Sequence, residues 1–310
     1  MTAETVRIGT RGSQLALWQA NWVKDALEDL YPALEVSIAV IKTSGDKILD
    51  VPLAKVGGKG LFVKEIEQAL MDGDIDLAVH SMKDMPGDIP EPLEIGAVPE
   101  REVPYDVLIS KGHTPFNDLP KGARLGTSSL RRASQVLYRR PDMEVLPLRG
   151  NLDTRLKKLE SEGLDAIILA GAGIKRLELG HVISEMIDPG LVLPAVGQGA
   201  LCIEVRKADP RIHELIAPID HAATHRIIAG ERAFLKRLEG GCQVPMAAYG
   251  QIAGDTLTLE GMVAETDGSI MHHHSVSGTV SQAEAIGRDL AETLIDRGAD
   301  KILARLSEGE

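Results

Sequence analysis

Cysteine is nearly absent from this chain of 310 residues, which contains only Cys202 and Cys242. Two thiols cannot form a disulfide framework, so we expect the protein to work in a reducing compartment, the cytoplasm. Cys202 lies within the apolar run 200–205 and is predicted to be buried and unreactive. No run of about 18 apolar residues occurs, and this excludes a membrane-spanning helix.

Aromatic residues make up only 3% of the chain, and positive charge is in deficit, with a formal net charge of −12. A protein that binds nucleic acid needs a basic surface and, for single strands, aromatic side chains on which bases stack. An anionic membrane surface would likewise repel an acidic protein. We therefore expect neither a nucleic-acid partner nor a membrane partner.

The cations are unevenly distributed along the chain. Residues 124–176 contain eleven basic and six acidic residues, a local charge of +5, and eight of the eleven are arginine. The arginine guanidinium binds carboxylates and phosphates through two parallel hydrogen bonds. This segment therefore predicts a binding site for a ligand with several acidic groups.

Strand and helix signals alternate along the first two thirds of the chain. A strand at 6–10 precedes a helix capped by Ser13, and the alternation resumes from 105 to 200. This pattern predicts parallel sheets with helices on both faces. From about residue 218 it changes to one long helix, three strands of period 2 and a terminal helix over 281–306. The predicted fold class is α/β, with a C-terminal α+β domain that holds a small antiparallel sheet.

The chain is long enough for about two to three domains, each with its own core. We expect three. Residues 1–99 together with 200–217 form the first α/β domain, residues 100–199 the second, and residues 218–310 the α+β domain.

Arginine follows a predicted strand end in four separate turns. The segments are 9–13 with Arg11 and Ser13, 126–132 with Arg131 and Arg132, 148–155 with Arg149 and Arg155, and 170–176 with Arg176. Free amides and hydroxyls at a helix N-terminus bind anions, and ligands of α/β sheets lie beyond the carboxyl ends of the strands. These turns therefore predict a site for a polyanion.

Cys242 follows two glycines in the segment 237–245. The glycines leave space around the sulfur, and the nearby Arg232, Lys236 and Arg237 favour the thiolate form. These features indicate a reactive thiol, although a structural cysteine in a turn fits the same residues.

Asp84 closes the motif His80-Ser-Met-Lys-Asp84, which follows a predicted strand at 76–79. A carboxylate at the carboxyl end of a strand is well placed for general acid–base work. The alternative is a surface turn that Pro86 ends.

Two further segments bear on the site. Residues 43–60 are rich in glycine and lysine, including Lys55 and Lys59, and lie between a predicted strand and a predicted helix. A loop of that length inside a compact domain is typical of a functional lid. The run His272–His274 predicts no metal site, because adjacent strand residues point to opposite faces and no cysteine or carboxylate cluster accompanies them.

Together these segments resemble the porphobilinogen deaminase family, also called hydroxymethylbilane synthase, from about residue 5 to about residue 306. The motifs that carry the resemblance are Arg11 with Ser13, the loop 55–62, His80-Ser-Met-Lys-Asp84, Gly126-Thr-Ser-Ser-Leu-Arg-Arg132, Leu148-Arg-Gly-Asn151, Pro194-Ala-Val-Gly-Gln-Gly199 and Leu238-Glu-Gly-Gly-Cys-Gln-Val-Pro245.

The resemblance implies a monomer with two domains similar to periplasmic solute-binding domains and a third that carries the cofactor. It implies that Cys242 holds a dipyrromethane through a thioether. Four porphobilinogen molecules are then condensed head to tail, with loss of ammonia, and hydroxymethylbilane is released for tetrapyrrole biosynthesis.

The resemblance also implies roles for individual residues. The catalytic residue is Asp84. The cofactor is bound by Cys242, Lys83, Ser129, Arg131, Arg132 and Arg155. The substrate and growing chain are bound by Arg11, Ser13, Lys55, Lys59, Phe62, Thr127, Ser128, Arg149, Arg176 and Gln198, and no metal is implied.

Two alternatives stay open from the residues themselves. One is a cytosolic polyanion-binding protein without chemistry, in which the Cys242 thiol is unmodified. The other is a Cys–His acyl-transfer enzyme, which needs a histidine paired with Cys242. His221 and His225 are near in sequence, but no motif links them to the cysteine.

Overall fold

A computed structural model describes residues 4–47, 60–238 and 244–308. The strands are, in chain order, β1 (Glu4–Thr10), β2 (Leu34–Val40), β3 (Leu77–Ser81), β4 (Leu93–Ala97), β5 (Asp106–Ser110), β6 (Arg124–Gly126), β7 (Glu144–Leu146), β8 (Ala166–Ala170), β9 (Glu185–Met186), β10 (Leu201–Arg206), β11 (Met246–Ala253), β12 (Thr256–Ala264) and β13 (Met271–Thr279).

Helices lie between and after these strands. They are α1 (Gln14–Leu30), α2 (Ser44–Lys47), α3 (Lys64–Met71), α4 (Leu130–Arg139), α5 (Leu152–Ser161), α6 (Gly171–Arg176), α7 (Pro210–Ile216), α8 (Ala222–Arg237), α9 (Ala283–Leu294) and α10 (Asp300–Glu308). Within the described ranges, no helix is long and apolar enough to cross a membrane.

The described chain divides into two compact units. The first contains residues 4–47, 60–102 and 200–225, and the second contains residues 103–199, 226–238 and 244–308. The chain thus leaves the first unit and returns to it about one hundred residues later. The finer division into three domains stays a prediction.

The sheet of the first unit has five strands in the order β2-β1-β3-β10-β4. Strands β1, β2 and β3 are parallel, as expected, but β10 runs antiparallel to both of its neighbours. The sheet is therefore mixed, because the returning strand is inserted between β3 and β4. Leu77 and Val79 of β3 pack with α1 and α7, whereas Ala78 packs with α3, so helices cover both faces.

The second unit contains another five-stranded sheet, in the order β7-β6-β8-β5-β9. Strand β6 is parallel to β7 and β8, and β5 is antiparallel to β8 and β9. Alternate residues of β5 enter two different cores, with Leu108 in one and Val107 and Ile109 in the other. Such alternation is typical of a strand that is covered on both faces.

Strands β11, β12 and β13 form an antiparallel sheet with α8 and α9 packed against it. The helices approach closely, because a Cβ atom at Gly287 would lie 2.1 Å from the Gly230 carbonyl oxygen. The three predicted strands are confirmed. The single terminal helix predicted over 281–306 is wrong, since a short π-helical segment at 295–299 separates α9 from α10 and its Gly298 has a φ of +107°. That left-handed angle suits glycine and ends the regular helix.

Candidate functional site

Asp84 lies on a single helical turn directly after β3. The Met82 amide donates to the Ala200 carbonyl at 3.0 Å, and the Met85 amide donates back to the Met82 carbonyl at 3.1 Å. Both methionine side chains are buried, whereas Lys83 and Asp84 between them are half-buried. The turn is therefore anchored from inside, and its two charged side chains stay accessible.

The Asp84 carboxylate has no hydrogen-bond or ion-pair partner within the described part of the chain. A carboxylate without such a partner retains its capacity to accept a proton or to face a developing positive charge.

Arg11 and Ser13 follow β1, as the sequence predicts. Ser13 is the N-cap of α1, and its hydroxyl accepts from the Ala16 amide at 3.3 Å. The Arg11 guanidinium carbon lies 4.2 Å from the centre of the Phe62 ring, which packs so closely on Gly45 that a Cβ there would come within 2.3 Å. This cation–π contact orients the guanidinium and places Phe62 beside Arg11.

The hydroxyls of Thr127, Ser128 and Ser129 surround the N-terminus of α4. The Thr127 hydroxyl accepts from the Ser129 amide at 3.2 Å, and the Ser128 hydroxyl accepts from the Leu148 amide at 2.9 Å. Ser129 occupies the N-cap position, but its side chain makes no capping hydrogen bond. Its hydroxyl is thus available to an anion at a helix N-terminus.

Arg131 and Arg132 lie in the first turn of α4 and converge on a buried carboxylate, Asp106. Arg131 donates from Nη1 to Asp106 Oδ2 at 2.8 Å and to the Leu193 carbonyl at 2.7 Å. Arg132 donates from Nε and Nη2 to Asp106 Oδ1 at 3.0 and 2.7 Å, and from Nη1 to the Ile168 carbonyl at 3.0 Å. We call Asp106, Arg131 and Arg132 the Asp106 cluster.

The Asp106 cluster carries more positive than negative charge. Burial by itself would raise the pKa of Asp106, but attraction to Arg131 and then Arg132, with hydrogen bonds from both, outweighs burial and lowers the pKa to about 2. The carboxylate is therefore ionised, and two guanidiniums beside one carboxylate leave a buried net charge of +1 within the described residues. Such a charge favours an anionic ligand.

Gln198 extends this cluster. Its side-chain amide donates to the Pro104 carbonyl at 2.6 Å and to Asp106 Oδ1 at 3.1 Å, while its oxygen accepts from Arg131 Nη2 at 3.3 Å. Arg176, at the end of α6, donates to the Gly199 carbonyl at 2.8 Å. The segment 194–199 is thereby tied to two of the predicted arginines.

Arg149 and Arg155 lie on either side of Gly150, whose φ is +111°. Both side chains are half-buried, and Arg155 donates from Nε to the Gly150 carbonyl at 2.8 Å. Asn151 caps α5 by accepting from the Thr154 amide at 2.9 Å. The arginines therefore meet the start of a helix, as the sequence predicts.

Three predicted site residues, Cys242, Lys55 and Lys59, lie outside the described residues, as does most of the predicted lid. The two histidines of the acyl-transfer alternative have other partners. His221 Nδ1 lies 2.8 Å from the Thr224 hydroxyl, and His225 Nδ1 lies 2.8 Å from Asp220 Oδ1. In the histidine run, His273 Nε2 lies 2.6 Å from Glu260 Oε1.

Sequence reasoning missed two groups of buried charges. Asp106 precedes the apolar residues Val107–Ile109 of β5, and Glu204 interrupts the apolar run 200–205, where its Oε2 lies 3.0 Å from His80 Nε2. An acid inside an apolar strand is itself a signal, because such a group is buried only with partners.

Comparisons with family descriptions and with individual relatives give the same family for this chain. The family description "Porphobilinogen deaminase, dipyromethane cofactor binding domain" matches residues 6–214, and "Porphobilinogen deaminase, C-terminal domain" matches residues 226–296. The chain is 56% identical over 306 residues to the porphobilinogen deaminase of Syntrophotalea carbinolica, with 99% of this chain and 97% of that protein covered. It is 55% identical over 310 residues to that of Geotalea uraniireducens, with 100% and 97% covered.

Among solved structures, the chain is similar to the probable amino-acid ABC transporter extracellular-binding protein ytmK from Bacillus subtilis. The identity is 13% and the TM-score 0.45, over 74% of this chain and 95% of that one.

Proposed function

The chain belongs to the porphobilinogen deaminase family, and from this premise we propose how its own residues serve the reaction. The enzyme condenses four porphobilinogen molecules head to tail, with loss of ammonia, on a dipyrromethane cofactor and releases hydroxymethylbilane for tetrapyrrole biosynthesis. The full-length likeness supports this enzyme and not the alternative of a binding protein without chemistry.

The cofactor and its extensions bear acetate and propionate groups, so their site must hold several carboxylates. The observation that carries the proposal is the net charge of +1 of the buried Asp106 cluster. The Ser129 hydroxyl, which makes no capping bond, supplies a further donor on the same helix. These residues fit a carboxylate-bearing group. We assign cofactor binding to them together with Lys83 and Arg155, and covalent attachment to Cys242.

When bound, the dipyrromethane supplies the terminal pyrrole carbon to which the next unit is joined. Carboxylates of the substrate and the growing chain are assigned to a second set of residues. The set comprises Arg11, Ser13, Lys55, Lys59, Phe62, Thr127, Ser128, Arg149, Arg176 and Gln198. The stacking of Arg11 on Phe62 supports the assignment of both residues to this set, because a guanidinium held by an aromatic ring is already oriented for a carboxylate.

Asp84 is the proposed catalytic residue. Loss of ammonia from the aminomethyl group builds positive charge on the substrate pyrrole, and a carboxylate near the pyrrole N–H stabilises that charge. A ring carbon must then lose a proton, and the same carboxylate accepts it. The anchored turn and the absence of a partner for Asp84 among the described residues support both tasks.

Asp84→Asn tests this assignment. We expect ammonia release to fall by about two orders of magnitude or more, since loss of a general base typically costs about 10²–10⁴-fold. The circular dichroism spectrum should stay that of the wild type, because the amide is isosteric with the carboxylate and the half-buried side chain has no partner among the described residues to lose.

The matched control is Asp74→Asn, an exposed aspartate of the same unit, which should keep wild-type turnover. Intact mass and peptide mapping should show one two-ring adduct on Cys242 in each preparation that is assayed. Wild-type ammonia release from loaded Asp84→Asn enzyme would remove Asp84 from this role.

We further propose a cytoplasmic monomer of three domains with no nucleic-acid or membrane partner. The net charge of −12 supports the lack of a nucleic-acid or anionic-membrane partner. Light scattering at several concentrations tests the monomer.

A further inference from the structure

The turn between β12 and β13 packs directly on α4, the helix that carries Arg131 and Arg132. Gly268 in this turn has a φ of +72°, and a Cβ atom there would lie 2.5 Å from the Tyr138 amide nitrogen and 2.7 Å from the Ser134 carbonyl oxygen. Because a carbon atom in contact normally lies about 3.5 Å or more from its neighbour, the turn reaches the helix backbone only with glycine at this position. Ser134 follows Arg131 by about one helical turn, so a shift of the helix at this contact moves the arginines as well.

Leu193 joins the same sheet to α4. Its side chain is buried in an apolar cluster with residues of β11 and β12, which are Ala247, Tyr249, Met262 and Ala264. Its carbonyl accepts from Arg131 Nη1 at 2.7 Å, and its amide donates to Gln135 Oε1 at 2.7 Å. Leu193 therefore packs on the sheet with its side chain and holds an arginine of the Asp106 cluster with its backbone.

A pair of tyrosines forms a third link, beside Asp106. The rings of Tyr105 and Tyr249 meet edge to face with their centres 5.9 Å apart, and their hydroxyl oxygens are 3.3 Å apart. This ring geometry is favourable, and each hydroxyl gains a hydrogen-bond partner. Tyr249 is on β11, whereas Tyr105 directly precedes Asp106 and accepts at its carbonyl from the Gly171 amide at 2.9 Å. The pair thus fastens the start of β5 to β11.

These links lie between the two places where the cofactor is proposed to be held. Cys242, the proposed point of attachment, precedes the first residue of β11 by four positions. The chain just before that strand is fastened to the sheet, because the Pro245 carbonyl accepts from the Ala264 amide at 3.0 Å. The cofactor carboxylates are assigned to Arg131 and Arg132 on α4. A group held at both ends fits only when the separation of β11 from α4 is set closely.

The other hairpin turn of this sheet, between β11 and β12, makes no such contact. Gly254 in that turn also has a left-handed φ, of +61°, but no atom of the described residues outside its chain neighbours lies within 4 Å of a Cβ placed there. Gly254 therefore has the backbone requirement of Gly268 without its contact. An alanine strains either turn, but only at position 268 does it push against α4.

We propose that the antiparallel sheet fixes the position of α4 for attachment of the cofactor, with Gly268 and Tyr249 as positioning residues. The proposal rests on the proposed function, since it assumes a dipyrromethane held by Cys242 and by the arginines of α4. It does not require Gly268 or Tyr249 to touch the cofactor.

The first test measures loading of the cofactor rather than turnover. Each variant is produced in a host that makes no porphobilinogen and is then incubated with excess porphobilinogen, and intact mass follows the gain of the two-ring adduct. In Gly268→Ala the turn or the helix must move by about 1 Å to restore a contact distance of about 3.5 Å. Since a misplacement of about 1 Å can cost about 10²-fold at a positioned site, we expect loading to be at least about tenfold slower than in wild type.

Gly254→Ala is the matched control. Both substitutions place alanine in a left-handed turn, so a purely structural effect lowers the free energy of unfolding in both variants without separating their loading rates. We expect Gly254→Ala to load at the wild-type rate. Equal loading of the two alanine variants overturns the proposal, whether both load slowly or both load at the wild-type rate.

Tyr249→Phe tests the same contact without a steric clash, so it decides the question if Gly268→Ala does not fold. The substitution removes the hydroxyl that faces Tyr105 and keeps the ring, and loading should be several-fold slower than in wild type. Tyr138→Phe, at an exposed tyrosine of α4, should load as wild type does. Wild-type loading of Tyr249→Phe contradicts the proposal.

The loading assay also separates this proposal from the proposed function. If wild type gains no two-ring adduct on Cys242, the proposed function is overturned and this proposal with it. If wild type loads and the Gly268→Ala and Tyr249→Phe variants load equally fast, only the positioning role is overturned.

Discussion

Each compact unit buries a cluster of ionisable side chains, but the ratio of acidic to basic groups is reversed between them. In the second unit one carboxylate, Asp106, meets two guanidiniums, and its pKa falls to about 2 in spite of its burial. In the first unit two buried carboxylates, Glu67 on α3 and Glu204 on β10, share one imidazole, that of His80, and burial followed by the charge of Glu204 raises the pKa of Glu67 to about 7. Burial alone raises the pKa of a carboxyl group, and the charges beside it decide whether the pKa ends below or above its usual value.

Removing the carboxylate of the Asp106 cluster should have the largest effect on stability. Asp106→Ala leaves two guanidiniums buried without their anion, and we expect the free energy of unfolding to fall by about 3–5 kcal/mol. Unfolding in urea measures this change in the free energy of unfolding.

The control for that change is Asp142→Ala. Asp142 also pairs with an arginine, Arg140 at 2.8 Å, but near the surface, and its loss should leave stability close to that of the wild type. If both substitutions cost the same, burial is not what makes the Asp106 cluster important.

Removing one acid from the group of Glu67, Glu204 and His80 in the first unit should cost less. Glu204→Gln loses the charge-assisted contact with His80, but it also removes the repulsion of Glu67. We expect a loss of about 1–3 kcal/mol in urea unfolding, as for a buried polar group that loses a charged partner. A cost as large as that of Asp106→Ala would show that the two clusters do not differ as described.

The dependence of stability on pH should distinguish the clusters by sign. Asp106, with a lowered pKa, contributes stability above its usual pKa of 3.8 that is lost as pH falls toward about 2. Glu67, with a raised pKa, contributes stability that is fully present below pH 4.5 and is lost as pH rises through about 7.

Between about pH 5 and about pH 7 the unfolding free energy of wild type should therefore fall by up to about 1.4 kcal/mol per pH unit from Glu67. Unfolding in urea at four pH values measures the slope, which Glu67→Gln should reduce. An unchanged slope in that variant would assign the dependence to another group.

Local signals in the sequence predicted local structure well. The Ser13 cap placed the start of α1, and the period-2 pattern placed all three strands of the last sheet. Strand direction and helix breaks were harder to predict from the sequence. Alternation of strands and helices does not give the direction of a returning strand, so the antiparallel β10 was missed, and Gly298 alone did not reveal the break before α10.

In the candidate site, too, local features were predicted from the sequence and long-range contacts were not. Residue types and turn positions predicted the arginines, and the structure places Arg131, Arg132 and Arg155 in the first turns of helices and Arg176 at the end of one. Their charge partners could not be inferred, because Asp106 precedes Arg131 by 25 residues and Glu204 follows His80 by 124. Pairing at such separations depends on strand order, which composition and spacing do not encode.

The insertion of β10 between β3 and β4 has a consequence for synthesis on the ribosome. At about 5–20 residues per second, the roughly one hundred residues between β4 and β10 take about 5–20 s to translate. During that interval β1 to β4 have been made, but β10, which lies between β3 and β4 in the finished sheet, has not, and the facing edges of β3 and β4 lack their partner. A nascent chain in this state exposes two unpaired strand edges, a surface that molecular chaperones and other nascent chains recognise.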